Sequence, residues 1–113
     1  MRDEVFLRHI LEALERIVAY TREGRDVFVR ELMVQDATLR NLEIIGEATK
    51  SLSPAFRTSH PEVPWADMVG MRDVLIHRYS VVDLTIVWEV VENRVPVLKR
   101  RVRALLAEAE DSS

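Results

Sequence analysis

Phe6-Leu7-Arg8-His9-Ile10-Leu11-Glu12-Ala13-Leu14-Glu15-Arg16-Ile17-Val18-Ala19-Tyr20 is the stretch whose reading decides the fold class. Phe6, Ile10, Ala13, Ile17 and Tyr20 recur at spacings of three and four, the repeat of one helix face. Leu7, Leu11, Leu14 and Val18 widen that stripe. A strand would place apolar residues at every second position instead. Upstream, Asp3 is the expected cap of this helix; downstream, Gly24 is its expected stop.

The same repeat continues along the chain. A short helical turn is predicted from Asp26 to Leu32, and Gln35 or Asp36 is expected to open a second long helix. Leu39, Leu42, Ile45, Ala48 and Leu52 form its buried stripe, and Ser53-Pro54 stops it, because a residue before proline is pushed out of helical geometry. Residues 54–64 hold three of the four prolines and read as a connector with a helical turn of its own. Pro64 suits a first helical position, and Gly70 is expected to bend the helix it opens. Asp83 caps the last helix, whose apolar face is Leu84, Val87, Trp88 and Val91. Pro96 removes a backbone donor, so a kink or break near residues 92–95 is predicted. Leu98, Val102, Leu105 and Leu106 carry the stripe beyond it. Trp65 and Trp88 sit inside apolar patterns and read as core or interface anchors. No alternating run survives, so the prediction is an all-α four-helix bundle with short additional turns. Residues 1–113 make one domain, and the end after about residue 107 is expected to fray.

A chain of 113 residues buries enough surface to fold without staples. It has no cysteine, and its three histidines are widely separated, so neither a disulfide nor a metal centre is expected. No cofactor is expected either. The formal charge of −3 argues against a general nucleic-acid binder. The charge is uneven, however. Arg94, Lys99, Arg100, Arg101 and Arg103 cluster ahead of Glu108, Glu110 and Asp111, and read either as a solvated helix face or as a strip that attracts phosphates. No apolar run approaches the roughly 20 residues of a membrane span, and the charged start shows no signal peptide. A soluble, cytoplasmic protein that does not contact membrane is expected.

Chemistry concentrates in Met71-Arg72-Asp73-Val74-Leu75-Ile76-His77-Arg78-Tyr79. A guanidinium is always charged and meets phosphate oxygens as a fork. An imidazole exchanges protons near neutral pH. On a helix, Asp73 and His77 are neighbours four apart, so the carboxylate can fix the ring tautomer and favour the imidazolium. Arg72 and Tyr79, seven apart, share a second stripe. Arg72 and His77 are five apart and do not stack; the reach of the arginine, or a second copy of the site, would bring both to one phosphate. The plainer reading of the same residues is a helix end whose basic groups favour the C-terminal dipole.

Three blocks carry a resemblance: Asn41-Leu42-Glu43-Ile44-Ile45-Gly46-Glu47-Ala48, then Pro64-Trp65-Ala66-Asp67-Met68-Val69-Gly70 running on through Tyr79, then Val82-Asp83-Leu84-Thr85-Ile86-Val87-Trp88. In content, order and spacing they closely resemble the HepT-like proteins of the HEPN superfamily of small helical toxins. The resemblance covers the chain from Met1 to about residue 105. It implies a HEPN-like bundle that acts, as a homodimer and without metal, as an endoribonuclease toxin of a type VII-like toxin–antitoxin pair, with RNA as substrate. Arg72 and His77 fall on the family's catalytic positions. Asp73 falls on a supporting position where many relatives carry Asn. The partner implied is a minimal nucleotidyltransferase antitoxin that adds AMP to the tyrosine at Tyr79, placing bulk and negative charge beside the cleft. A second class is a non-catalytic HEPN module that binds nucleotide or RNA or serves as an adaptor, or the antitoxin member of the pair. Intact Arg72 and His77 favour the enzyme.

Overall fold

The computed structural model describes residues 2–70 and 83–112. They form an all-α bundle, as expected, with no strand among the described residues. The elements are α1 (Arg2–Tyr20), α2 (Arg25–Arg30), α3 (Leu32–Ser51), α4 (Pro54–Ser59), α5 (helical over 65–70), α6 (Leu84–Glu89), a π-helical turn (Val90–Arg94) and α7 (Val95–Ser112).

Most of the predicted stripe of α1 is its buried face: Leu7, Ile10, Ala13, Leu14 and Ile17 are removed from solvent entirely, Phe6 and Leu11 are partly buried, and Val18 and Tyr20, expected in the stripe, are exposed because the helix end runs past the core. That face meets Leu42, Ile45 and Ala48 of α3, Leu52 just past its end, and Leu98, Val102, Leu105 and Leu106 of α7 in one core. Each such side chain contributes roughly 1.5–3 kcal/mol by leaving water. Buried polar groups also ride on α3. Thr49 donates from its hydroxyl to the Ile45 carbonyl at 2.7 Å, whereas the Thr38 hydroxyl and the Asn41 carbonyl oxygen are buried without a partner among the described residues.

Helix ends follow side-chain chemistry where the partner is local. Ser53 caps α4 by accepting from the Phe56 amide, with Pro54 at the first helical position. Asp83 caps α6 by accepting from the amides of Thr85 at 2.9 Å and Ile86 at 3.4 Å. Gly24 has a φ of 93°, in the left-handed region open to glycine, and so turns the chain from α1 into α2.

Three expectations need correction. Asp3 does not cap α1; it lies inside that helix, and its two carboxylate oxygens accept from the amide and hydroxyl of Ser53, each at 2.8 Å. It ties the start of α1 to the α3–α4 corner. Second, α3 opens at Leu32, three or four residues before Gln35 or Asp36, and Glu31 supplies no side-chain cap. Gln35 instead donates to the Phe28 carbonyl at 2.9 Å, pinning α2 against the first turns of α3. Third, the basic cluster does not form one strip. Arg103 turns to Glu15 of α1 at 3.2 Å, while Arg94 and Arg101 lie seven apart on another face of the last helix.

Near Pro96 the predicted break takes the form of the π-helical turn over Val90–Arg94, which runs directly into α7. Proline removes a donor and crowds the preceding turn, and a wider turn just ahead of it absorbs the mismatch without ending the helix. Helix continues to Ser112, and Glu110 pairs with Arg8 at 3.2 Å. Fraying of this end stands as a proposal about solution, measured by hydrogen exchange.

Candidate functional site

Arg72, Asp73, His77 and Tyr79 lie outside the described residues. What the structure does describe is the frame on either side of them. On the approach, α5 is seated by Trp65 and Met68, both buried. The Trp65 indole N–H donates to the His60 carbonyl at 2.9 Å, and its ring lies 6.1 Å from Phe56, which in turn stacks at 4.6 Å on His60. The sequence reading of Trp65 as a core anchor therefore holds. On the far side, Asp83 fixes the start of α6, and Val87 fastens that helix to the core. Trp88 is only half-buried; it packs 5.4 Å from Phe28 and donates to Glu92 at 3.1 Å.

Beside this frame, a cavity of about 220 Å³, open to solvent on one side, lies between α5 with the residue before it and the π-helical turn running into α7. Its lining is Pro64, Asp67 and Met68 on one side and Asn93, Arg94, Val97, Leu98 and Arg101 on the other. Met68, Val97 and Leu98 make an apolar floor; the two arginines, Asn93 and Asp67 stand at the rim. Arg94 is 3.9 Å from Asp67 and 3.9 Å from Glu89, a long approach on both sides. Arg101 donates one N–H to the Glu62 carbonyl, leaving most of its five donors for other partners. The Glu62 carboxyl is held below its ordinary value of 4.5, first by a hydrogen bond from its own backbone amide and then by His60 and Arg101.

A second cleft, of about 320 Å³, opens between α1 and α3. Phe6 and His9 line it from α1; Arg40, Glu43, Ile44, Glu47, Ala48 and Ser51 line it from α3. The Phe6 and His9 rings meet edge to face at 6.2 Å. Sequence reasoning missed this cleft. The signal was present: Arg40, Glu43, Glu47 and Ser51 recur at spacings of three and four beside the buried stripe of α3. It also missed Asn93, which no local pattern marks. Among the described residues no group of three His, Asp or Glu is placed to hold a metal ion, and no helix is long and apolar enough to cross a membrane.

Comparison with known proteins adds a family. A family model described as Ribonuclease HepT-like matches residues 10–105. A Thermococcus cleftensis protein named "Probable ribonuclease HepT" is 43% identical over 101 residues, 88% of this chain and 92% of its own length. A Methanocaldococcus jannaschii protein named "Gamma-glutamylcyclotransferase and putative RNase" is 41% identical over 108 residues. That match takes in 95% of this chain, which spans about half the relative, 49% of its length. No solved structure matches the chain.

Proposed function

The chain belongs to the HepT-like ribonuclease family, and from that membership we propose that it is an endoribonuclease toxin working without metal on RNA. The observation that carries the reading is the match over residues 10–105, a span that includes Arg72, Asp73, His77 and Tyr79. RNA brings its own nucleophile. The 2′-hydroxyl oxygen attacks the adjacent phosphorus, its proton passes to a base, and the 5′-oxygen leaves with a proton from an acid. A 2′,3′-cyclic phosphate remains. In a two-fold dimer, His77 of one protomer serves as base and His77 of the other as acid, each transfer worth roughly 10²–10⁴-fold. Arg72 neutralises the charge that builds on the phosphorane. Asp73 orients His77 and favours its charged form. Tyr79 is the switch: a nucleotidyltransferase antitoxin adds AMP to its hydroxyl, and the added phosphate repels RNA.

The test is cleavage of RNA by the purified chain in chelator. His77→Ala should lower the rate at least about 100-fold while the protein stays folded by circular dichroism. Arg72→Lys should also be severely impaired, because lysine keeps the charge and loses the fork. Products should end in a cyclic phosphate, and a 2′-deoxy sugar at the cut site should block the reaction. Full activity in folded His77→Ala would remove the assignment. For the switch, intact mass after incubation with the nucleotidyltransferase and ATP should rise by adenylate on the wild type and not on Tyr79→Phe.

A further inference from the structure

The cavity between α5 and the last helix has a composition the cleavage chemistry does not use. We propose that it is a nucleobase subsite, holding one unstacked base of a single-stranded RNA while Arg94 and Arg101 take the phosphates on either side. The inference rests on RNA as the substrate and names which form of RNA the chain selects.

Size comes first. About 220 Å³ is room for about seven waters at liquid density and is less than drug-sized ligands occupy. One ring system fits, and a whole nucleotide does not. The floor of Met68, Val97 and Leu98 is apolar and suits the face of a base, which takes stacking contacts from apolar side chains as well as aromatic ones. Asn93 offers both a donor and an acceptor to a base edge, and Asp67 an acceptor for an exocyclic amino group. Arg94 and Arg101 are seven residues apart, a rise of roughly 10 Å along the helix, so they bracket the opening and do not meet across it. Three acids, Asp67, Glu89 and Glu62, stand beside the two arginines, so a phosphate is drawn by the charged forks of the guanidiniums and not by net charge. Asn93 and Arg94 also fall in the π-helical turn, an irregularity found often at functional sites. Finally, Met68 stands four residues before Arg72, so the chain tethers this cavity to the motif within roughly 14 Å even at full stretch. A base seated here belongs to a nucleotide close to the scissile bond. Duplex RNA, whose bases stay stacked, cannot supply it.

The experiment is anisotropy titration of the full chain carrying His77→Ala with labelled ten-nucleotide RNAs: a single strand, the same strand with one base removed at each position in turn, and a duplex. The single strand should bind at least about tenfold tighter than the duplex at equal salt. Removal of one particular base should cost about tenfold. In Val97→Trp, which fills the cavity, that position should no longer matter. Asn93→Ala, a change that leaves the packing intact, should blunt the same position about threefold if the tryptophan variant folds poorly. Arg94→Gln and Arg101→Gln should each flatten the salt slope by about one. Equal binding of duplex, undiminished sensitivity to the missing base in both cavity variants, or displacement of the RNA by oligoglutamate at the same concentrations would overturn the subsite. Cleavage by the wild type reads separately. Cleavage without any base sensitivity removes the subsite alone; base sensitivity without cleavage removes the ribonuclease reading and leaves the subsite.

Discussion

The α1–α3 cleft and the cavity beneath α5 are built by one rule and equipped differently. Each lies along a helix seam where an apolar stripe meets its polar border, Arg40 to Ser51 in one case and Arg94 to Arg101 in the other. In the first, one arginine and one histidine face two glutamates, and the apolar share of the wall is Phe6, Ile44 and Ala48. In the second, two arginines stand among Asp67, Glu89 and Glu62, above a floor in which Met68 and Leu98 are part of the core. Helical spacing makes a groove, the chemistry at its rim decides what it draws, and RNA is proposed to follow the second groove.

The largest effect expected from this difference concerns the floors. Met68 is almost fully buried, so Met68→Ala should cost about 3 kcal/mol in urea unfolding, whereas Ser51→Ala, at the exposed lip of the other cleft, should stay within about 0.5 kcal/mol. Equal costs would mean that the second floor is not core. Next, Asp3 of α1 holds Ser53, just past the end of α3. Asp3→Ala should lose about 2 kcal/mol, since it strands two half-buried donors. Glu15→Ala, which breaks only the exposed pair with Arg103, should lose less than about 1 kcal/mol. If the two losses are alike, the Asp3–Ser53 tie is an ordinary surface contact. The smallest effect bears on the comparison itself. Arg94→Glu should weaken RNA binding about tenfold, and Arg40→Glu no more than about twofold, by the same anisotropy titration. Parallel losses would show that both grooves carry RNA.

The all-α class and most of the buried faces among the described residues were legible because they depend on spacing alone. Leu7, Ile10 and Ile17 had to share a side whatever they packed against. Caps were legible when their partner was two or three residues away, as at Ser53 and Asp83. Asp3 was misread because its partner lies 50 residues further on, and no local pattern encodes that meeting. The early start of α3 was hidden for a related reason: Leu32 and Met33 remain exposed, and Gln35 is spent on a contact to α2 and not on a cap. The motif from Arg72 to Tyr79 could be read only as residue types and as a resemblance, and it lies outside the described residues. The cavity between α5 and the last helix was not legible, since Asp67 and Met68 meet Arg94 and Val97 only through the fold.

The π-helical turn has a consequence for how relatives of this chain can differ in length. It contains one residue more than a regular helix needs between α6 and α7. Deleting a single residue of Val90–Arg94 would let the helix run on regularly, and because the wider turn already absorbs the extra residue, α6 and α7 would keep nearly the same phase around the axis. A one-residue deletion should therefore be admitted here, as length changes should be in the connectors at 21–24 and 60–64, whereas the same deletion inside α7 would turn everything beyond it by about 100°.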